Sequence, residues 1–187
     1  MNVGLYQGAS AMAASEARLE AITSNLANAR ATAFKRVATA QHGSEARNGV
    51  EETIRPDSFE AVDWSQGPLE RTGMPTDLAL MGRGFFAVEG PDGEVYSRDG
   101  HFLLSESGQL VTQEGFPVAW DGPRGNLDPV GDPIEVDAAG TVWQGPQRAG
   151  RLALVDFPAL DRLTQDPNGY WQASPALDRI PADAEVH

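Results

Sequence analysis

The sequence predicts a mainly β protein with an N-terminal α-helix, its body an antiparallel, β-hairpin-rich domain. Three observations predict it. The 187 residues include 20 glycines and 13 prolines, a density of chain-breakers that suits short strands joined by turns rather than a helical bundle. Every proline lies at Pro56 or beyond, which leaves the N-terminal stretch free to be helical. Beyond it, turn residues followed by short apolar or β-branched runs recur along the chain. At 41% hydrophobic and 22% charged residues, the chain holds enough apolar surface for a real core. The expected organisation is a helical segment at 1–36, a connector at 37–60 and a β-rich body at 61–187.

The helix is expected from Val3 to about Ala31. Leu5, Met12, Leu19 and Leu26 recur every seven residues, and Ile22 and Ala29 follow the last two by three. That is the spacing of a coiled-coil seam. Ala9, Ala13, Ala14, Ala17 and Ala21 favour helix and the close approach of a neighbour. Such a helix is roughly 40–45 Å long at 1.5 Å per residue, longer than a small domain is wide. The heptads therefore predict a helical partner, although the same pattern also fits an amphipathic helix laid on a sheet. Polar residues interrupt each apolar run and the start carries no basic cluster, so a cleaved signal peptide is not expected. After Thr32-Ala33-Phe34-Lys35-Arg36, residues 39–58 are polar and aperiodic and read as a flexible connector.

In the body, Asp77-Leu78-Ala79-Leu80, Gly82-Arg83-Gly84 and Phe85-Phe86-Ala87-Val88 read as strand, turn and strand. Pro91-Asp92-Gly93 predicts a hairpin into Val95-Tyr96-Ser97. Turns at Asp99-Gly100, Ser107-Gly108, Glu114-Gly115 and Ala139-Gly140 precede runs at 102–104, 110–112, 116–118 and 141–143. Ile134-Glu135-Val136 alternates, and Arg151 to Phe157 is the longest apolar run of the body. Turn signals every 8–15 residues point to an antiparallel sandwich or barrel-like sheet and away from βαβ units.

Charge and composition exclude several functions. The net charge is −13, divided into +2 over residues 1–47 and −15 over the remainder. An acidic body repels nucleic acid and anionic membrane, and no apolar run approaches the ~20 residues that span a bilayer. There is no cysteine, and three histidines leave little for a metal site or a catalytic dyad. Gly82-Arg83-Gly84 lacks a third glycine and leads into a strand, so it is no phosphate loop. The Asp-Gly turns lack the ligand spacing of a calcium loop. Ser97, Asp99 and His101 share a short stretch without the strand-turn-helix elbow of a hydrolase. The four tryptophans lie far apart and read as core or interface anchors.

Several segments together resemble one family. Leu5-Tyr6-Gln7-Gly8-Ala9-Ser10-Ala11-Met12 and Ile22-Thr23-Ser24-Asn25-Leu26-Ala27-Asn28-Ala29 resemble the opening of bacterial flagellar rod and hook proteins. Thr32 to Arg36 is similar to their Thr-Gly-Phe-Lys-Arg element. The stretch from Ser65 to Val88 resembles their central signature through Gly67, Leu69, Gly73, Pro75, Asp77, Leu78, Gly82, Gly84, Phe85 and Phe86. Tyr96 to Phe102, Gly108 to Thr112, Gly115 to Val118 and Gly150 to Phe157 fit as well. The short connector and the last of these runs are most similar to the proximal-rod branch, with the distal-rod branch next.

The resemblance implies a non-enzymatic axial subunit of the basal-body rod, in the periplasm, exported by the flagellar type III apparatus without a cleaved signal peptide. It implies contacts with other rod subunits and copies of itself. It implies no cofactor, no metal, no small-molecule substrate, no nucleic acid and no membrane insertion. The implied assembly interface comprises Leu5, Met12, Leu19, Ile22, Asn25, Leu26, Asn28, Ala29 and Phe34. The alternative is a self-contained secreted β-domain, a hydrolase or binding module, with its helix docked on the sheet. Family members close with a second heptad helix, expected near His187, where this sequence ends. Ala33 stands where they carry Gly, an expected strain of roughly 1 kcal/mol if φ is positive. Arg30 stands where they carry Asn.

Overall fold

The computed structural model describes residues 3–29, 31–41 and 58–187, in two compact units, 1–65 and 66–187. Arg30 and most of the expected connector, 42–57, lie outside the described residues.

In the first unit, α1 runs Val3–Ala27, about 37 Å of helix at 1.5 Å per residue. Its proline-free, alanine-rich composition accounts for the length. Hydrogen bonding tightens past the end of the helix. The Asn28 N–H still donates to Ser24 O at 3.1 Å, but Ala29 reaches only back to Leu26 and Ala31 only to Asn28. The chain then turns through Ala33, which has φ +57°. Strands β1 (Val37–Gln41) and β2 (Ser58–Val62) pair antiparallel, with Val37 opposite Val62 and Gln41 opposite Ser58. Both margins of the expected connector are therefore strand. Val37, Thr39 and Phe59 suit a ladder, but the run is too short to show a period.

The second unit is all β apart from one 3₁₀ turn, Leu160–Arg162. Its strands are β3 (Leu80–Arg83), β4 (Phe85–Gly90), β5 (Gly93–Ser97), β6 (Leu103–Leu104), β7 (Leu110–Val111), β8 (Ile134–Val136), β9 (Thr141–Gln144), β10 (Gln147–Arg151), β11 (Leu154–Asp156), β12 (Thr164–Gln165), β13 (Trp171–Gln172), β14 (Ile180–Pro181) and β15 (Asp183–Val186). Six of them form one sheet in the order β12-β13-β5-β4-β11-β14, and β10-β9-β8 form another. Two pairs, β15-β3 and β6-β7, complete the unit, and every pairing is antiparallel.

The expected hairpin at Pro91-Asp92 is present, with Gly90 opposite Gly93. Gly82-Arg83-Gly84 departs from expectation. Gly82 and Arg83 belong to β3 and pair with Ala184 and Asp183, whereas Asp77 makes only an isolated bridge to His101. The β9–β10 hairpin turns at Gly145-Pro146, and β12 to β15 follow sequence with few apolar residues. Strands β12 to β14 are two residues each, too short for a period to show, while β15 alternates and turns Ala184 and Val186 to the core.

Strand β4 explains its own unbroken apolar run, because both faces of the sheet are covered. Phe85 packs on Phe157 (ring centroids 6.0 Å apart), which Tyr96 meets edge-on at 4.8 Å. On the opposite face Phe86 meets Phe102 edge-on at 5.1 Å. Phe86, Phe102, Leu110, Val118, Leu127, Val142 and Leu152 then make the principal core, and Val88, Val95 and Tyr170 a smaller cluster.

Gly84 joins β3 to β4 at φ +145°, and a Cβ there would stand 2.5 Å from the Ala182 Cβ and 3.3 Å from Val155 O. A side chain would push away Ala182, the link between β14 and β15. Gly84→Ala is expected to destabilise the body by roughly 2–4 kcal/mol, read as a lowered thermal midpoint. Gly115→Ala, at φ +87° with nothing within 4 Å, is the control, with only the conformational cost of about 1 kcal/mol.

Candidate assembly surface

Helix α1 turns its faces the opposite way from an ordinary surface helix. Met12, Leu19, Ile22 and Leu26 are 73%, 63%, 52% and 76% exposed. At 3.6 residues per turn these side chains share one face, Ala17, Ala21 and Asn28 lie roughly opposite, and Asn25 lies at the flank. That side is the covered one: Ala21 is buried, and Ala14, Ala17, Asn25 and Asn28 are half-buried. The helix thus docks by small and polar residues and presents its large apolar ones to solvent. Ala29 is also exposed, Phe34 is half-buried, and the Leu5 side chain lies outside the described residues.

Asn25 ties α1 to β1. The Asn25 amide donates from Nδ2 to Val37 O at 2.7 Å and accepts at Oδ1 from the Val37 N–H at 2.9 Å. It imitates a neighbouring strand at the first residue of β1. Asn28 donates instead into its own helix, to Ser24 O at 2.9 Å. Between them and β1 lies Ala33, the one non-glycine residue with positive φ among the described residues. Its strain is about 1–2 kcal/mol, and each Asn25 hydrogen bond contributes a net ~0.5–1.5 kcal/mol, so the opposing effects are similar in size.

The other end of the junction is held by charge. The buried Lys35 donates from Nζ to Ser65 O at 2.8 Å. Arg36 pairs with Asp63 at 2.8 Å, and the Asp63 carboxylate also accepts from the Ser65 N–H at 3.0 Å. Hydrogen bonds from Ser65, then the Arg36 guanidinium, lower the Asp63 pKa to about 2. The family-like elements include Asn25, Lys35, Arg36 and Ser65, but nothing in the sequence pairs Lys35 with Ser65 or Arg36 with Asp63, 30 and 27 residues away.

In the body, three of the family-like segments converge on Asp156, which is buried. Arg83 reaches it at 3.2 Å and donates to Phe157 O at 3.0 Å. Arg98 donates to Gly82 O at 2.8 Å and lies 5.3 Å over the Phe85 ring. Burial pushes the Arg98 guanidinium below its ordinary pKa, with the Asp156 charge opposing that shift. Gly82, Gly84, Phe85 and Phe86 thus position β3 and β4 around this cluster. Leu78 donates its N–H to Gly100 O at 2.9 Å, beside the Asp77–His101 bridge. Gly73 has φ +79°, Gly67 and Pro75 are exposed, and Leu69 is 47% exposed.

The catalytic candidates resolve into turns. Ser97 Oγ accepts from the Asp99 N–H at 2.9 Å, while His101 Nδ1 meets the Asp99 carboxylate at 2.7 Å. His101 is therefore joined to Asp99, and Ser97 is engaged with the turn backbone. Among the described residues no three His, Asp or Glu side chains gather as metal ligands, and no helix is long and apolar enough to cross a membrane.

Asp63 gives a test of the junction. With a folded pKa of about 2 against an unfolded value of about 3.9, its contribution is full above pH ~4 and fades as pH falls through 2. A carboxyl-carbon NMR titration is expected to place its midpoint near 2, and Ser65→Pro, which removes the N–H, is expected to raise it.

Comparison with known proteins agrees with the geometry. Residues 79–144 match the model of the flagellar hook protein FlgE/F/G D1 domain, and residues 5–35 that of the flagella basal body rod protein. The flagellar basal-body rod protein FlgF of Caulobacter vibrioides is 34% identical over 100% of this chain and 80% of its own length. FlgF of Rhizobium meliloti is 33% identical over 96% and 77%. FlgG of Buchnera aphidicola is 40% identical over a shorter span, 56% of this chain and 41% of that protein.

Proposed function

The chain belongs to the FlgF family of flagellar basal-body rod proteins, and on that premise we propose that it is a structural, non-catalytic axial subunit of the rod. The observation that carries this reading is the exposed apolar face of α1. A row of Met12, Leu19, Ile22 and Leu26 in water is unfavourable for a lone chain and favourable once a second helix covers it. The heptad spacing fits a coiled-coil partner, supplied by neighbouring rod subunits or by copies of this chain. Ala29 lies beside that row and Leu5 continues its spacing, while Asn25, Asn28 and Phe34, half-buried, position the helix for the contact. The central signature serves the body. Gly67, Leu69, Gly73, Pro75, Asp77 and Leu78 lead into the body, which supplies lateral contacts.

The division of the chain into an axial helical segment, a connecting ribbon and a β body follows from the same reading. So do a position in the periplasmic rod and export by the flagellar type III apparatus. A self-contained hydrolase or binding module draws no support from the geometry, since the Ser97, Asp99 and His101 hydrogen bonds serve turns.

The test is a charge in the seam. Leu19→Asp and Leu26→Asp place carboxylates where an apolar contact forms, at a cost of several kcal/mol when buried. Each variant is expected to fold with an unchanged thermal midpoint of the body and to fail in rod assembly, scored as loss of swimming in a complementation assay. Normal swimming by both variants would refute the seam.

A further inference from the structure

The junction of α1 and β1 couples a strained residue to a side-chain tie. Asn25 and Val37 are twelve residues apart in sequence, and the amide closes that loop with two hydrogen bonds. Ala33, at φ +57°, lies inside the loop. The two features oppose each other. A rotation that returns Ala33 to an ordinary backbone region redirects the chain between α1 and β1 and draws Val37 away from Asn25. A closed arrangement keeps the tie and the strain; an open one gives up both.

The surroundings favour motion at this point. Lys35, Arg36, Asp63 and Ser65 bond to one another on the ribbon side of Ala33, so β1 and β2 stay joined whichever way the helix points. On the helix side, hydrogen bonds from Asn28 to Ser24 and from Thr23 to Leu19 hold the last turns together. The soft positions therefore lie between two stiff elements, as in a hinge.

We propose that Asn25 is a latch and Ala33 a pre-strained hinge, which together give α1 two directions relative to the β1–β2 ribbon. The closed direction is the one described above. The open direction is selected when an apolar helix covers Met12, Leu19, Ile22 and Leu26, and this last clause rests on the seam reading. Because the strain is released on opening, the partner helix needs less differential affinity to move α1. With glycine at position 33 nothing would be released, and the helix would stay closed.

The chain has no cysteine, so spin labels go only where they are placed. Arg18→Cys and Ala38→Cys put one label on the exposed surface of α1 and one on β1. Pulsed electron resonance on the isolated full chain is expected to give a major distance and a minor second one. Asn25→Ala is expected to make the second distance the major one. Ala33→Gly is expected to remove it and to slow exchange of the Val37 amide by about tenfold. The double variant falls between the two. If Asn25→Ala melts the helix, Asn25→Asp keeps the acceptor for the Val37 N–H, loses the donor, and is expected to give an intermediate population. Distances unchanged by Asn25→Ala and Asn25→Asp, or a Val37 amide indifferent to Ala33→Gly, would overturn the latch. Failure of the seam reading is separate, since Leu19→Asp and Leu26→Asp are scored on assembly and leave these distances alone.

Discussion

The body depends on one strand that is apolar on both sides. Phe85 and Phe86 point to opposite faces of β4, and each finds an aromatic partner contributed by a distant segment, Phe157 and Phe102. Two sheet faces have to be covered at once, which is why short segments from 100 to 187 wrap around a single hairpin. Burying a phenylalanine contributes about 1.5–3 kcal/mol relative to leaving it in water, so these two residues are worth more than any surface ion pair of the unit. The Arg83–Asp156–Arg98 cluster is arranged around that strand. It aligns β3, β5 and β11 by charge once the rings have set their spacing.

The helical unit follows a different logic. Its intramolecular contacts use alanine and one asparagine, while its large apolar side chains are left in water. A chain whose stability depended on this helix would do the reverse. The exposed face fits a contact completed between molecules, as expected of a family whose members build a rod. The division of labour is sharp: the body buries its large apolar side chains in its own core, and the helix leaves its own in water.

Much of this was legible in the sequence. Glycine and proline density predicted the β body, the Pro91-Asp92-Gly93 hairpin was readable from its turn residues, and the heptads marked the face that is exposed. The segments around Gly82, Arg98 and Asp156 were recognisable as a signature, but only their convergence gives the reason for it. What could not be read depends on long-range pairing. Strands β12 to β14 are only two residues long, too short to show a period, and they add to the sheet through backbone bonds. Gly82-Arg83-Gly84 looks like a turn because two glycines usually mark one, yet here they let β15 lie close against β3. Likewise, Asn25 reads as an interface residue, and its amide is already engaged by Val37. A strand partner made from a side chain leaves no mark in local sequence.

The pairing of β3 with β15 has a mechanical consequence. Leu80 is opposite Val186, and beyond them Ala79 and His187 exchange two main-chain hydrogen bonds of 2.8 and 2.9 Å. The two strands therefore leave the ladder at the same end. A force separating Ala79 from His187 would open it rung by rung, like a zip, with the tension falling on one pair of bonds at a time. The same ladder pulled lengthwise, between residue 79 and residue 183, would share the tension among all its rungs. In this fold the direction of the force, more than the number of bonds, decides which edge yields first.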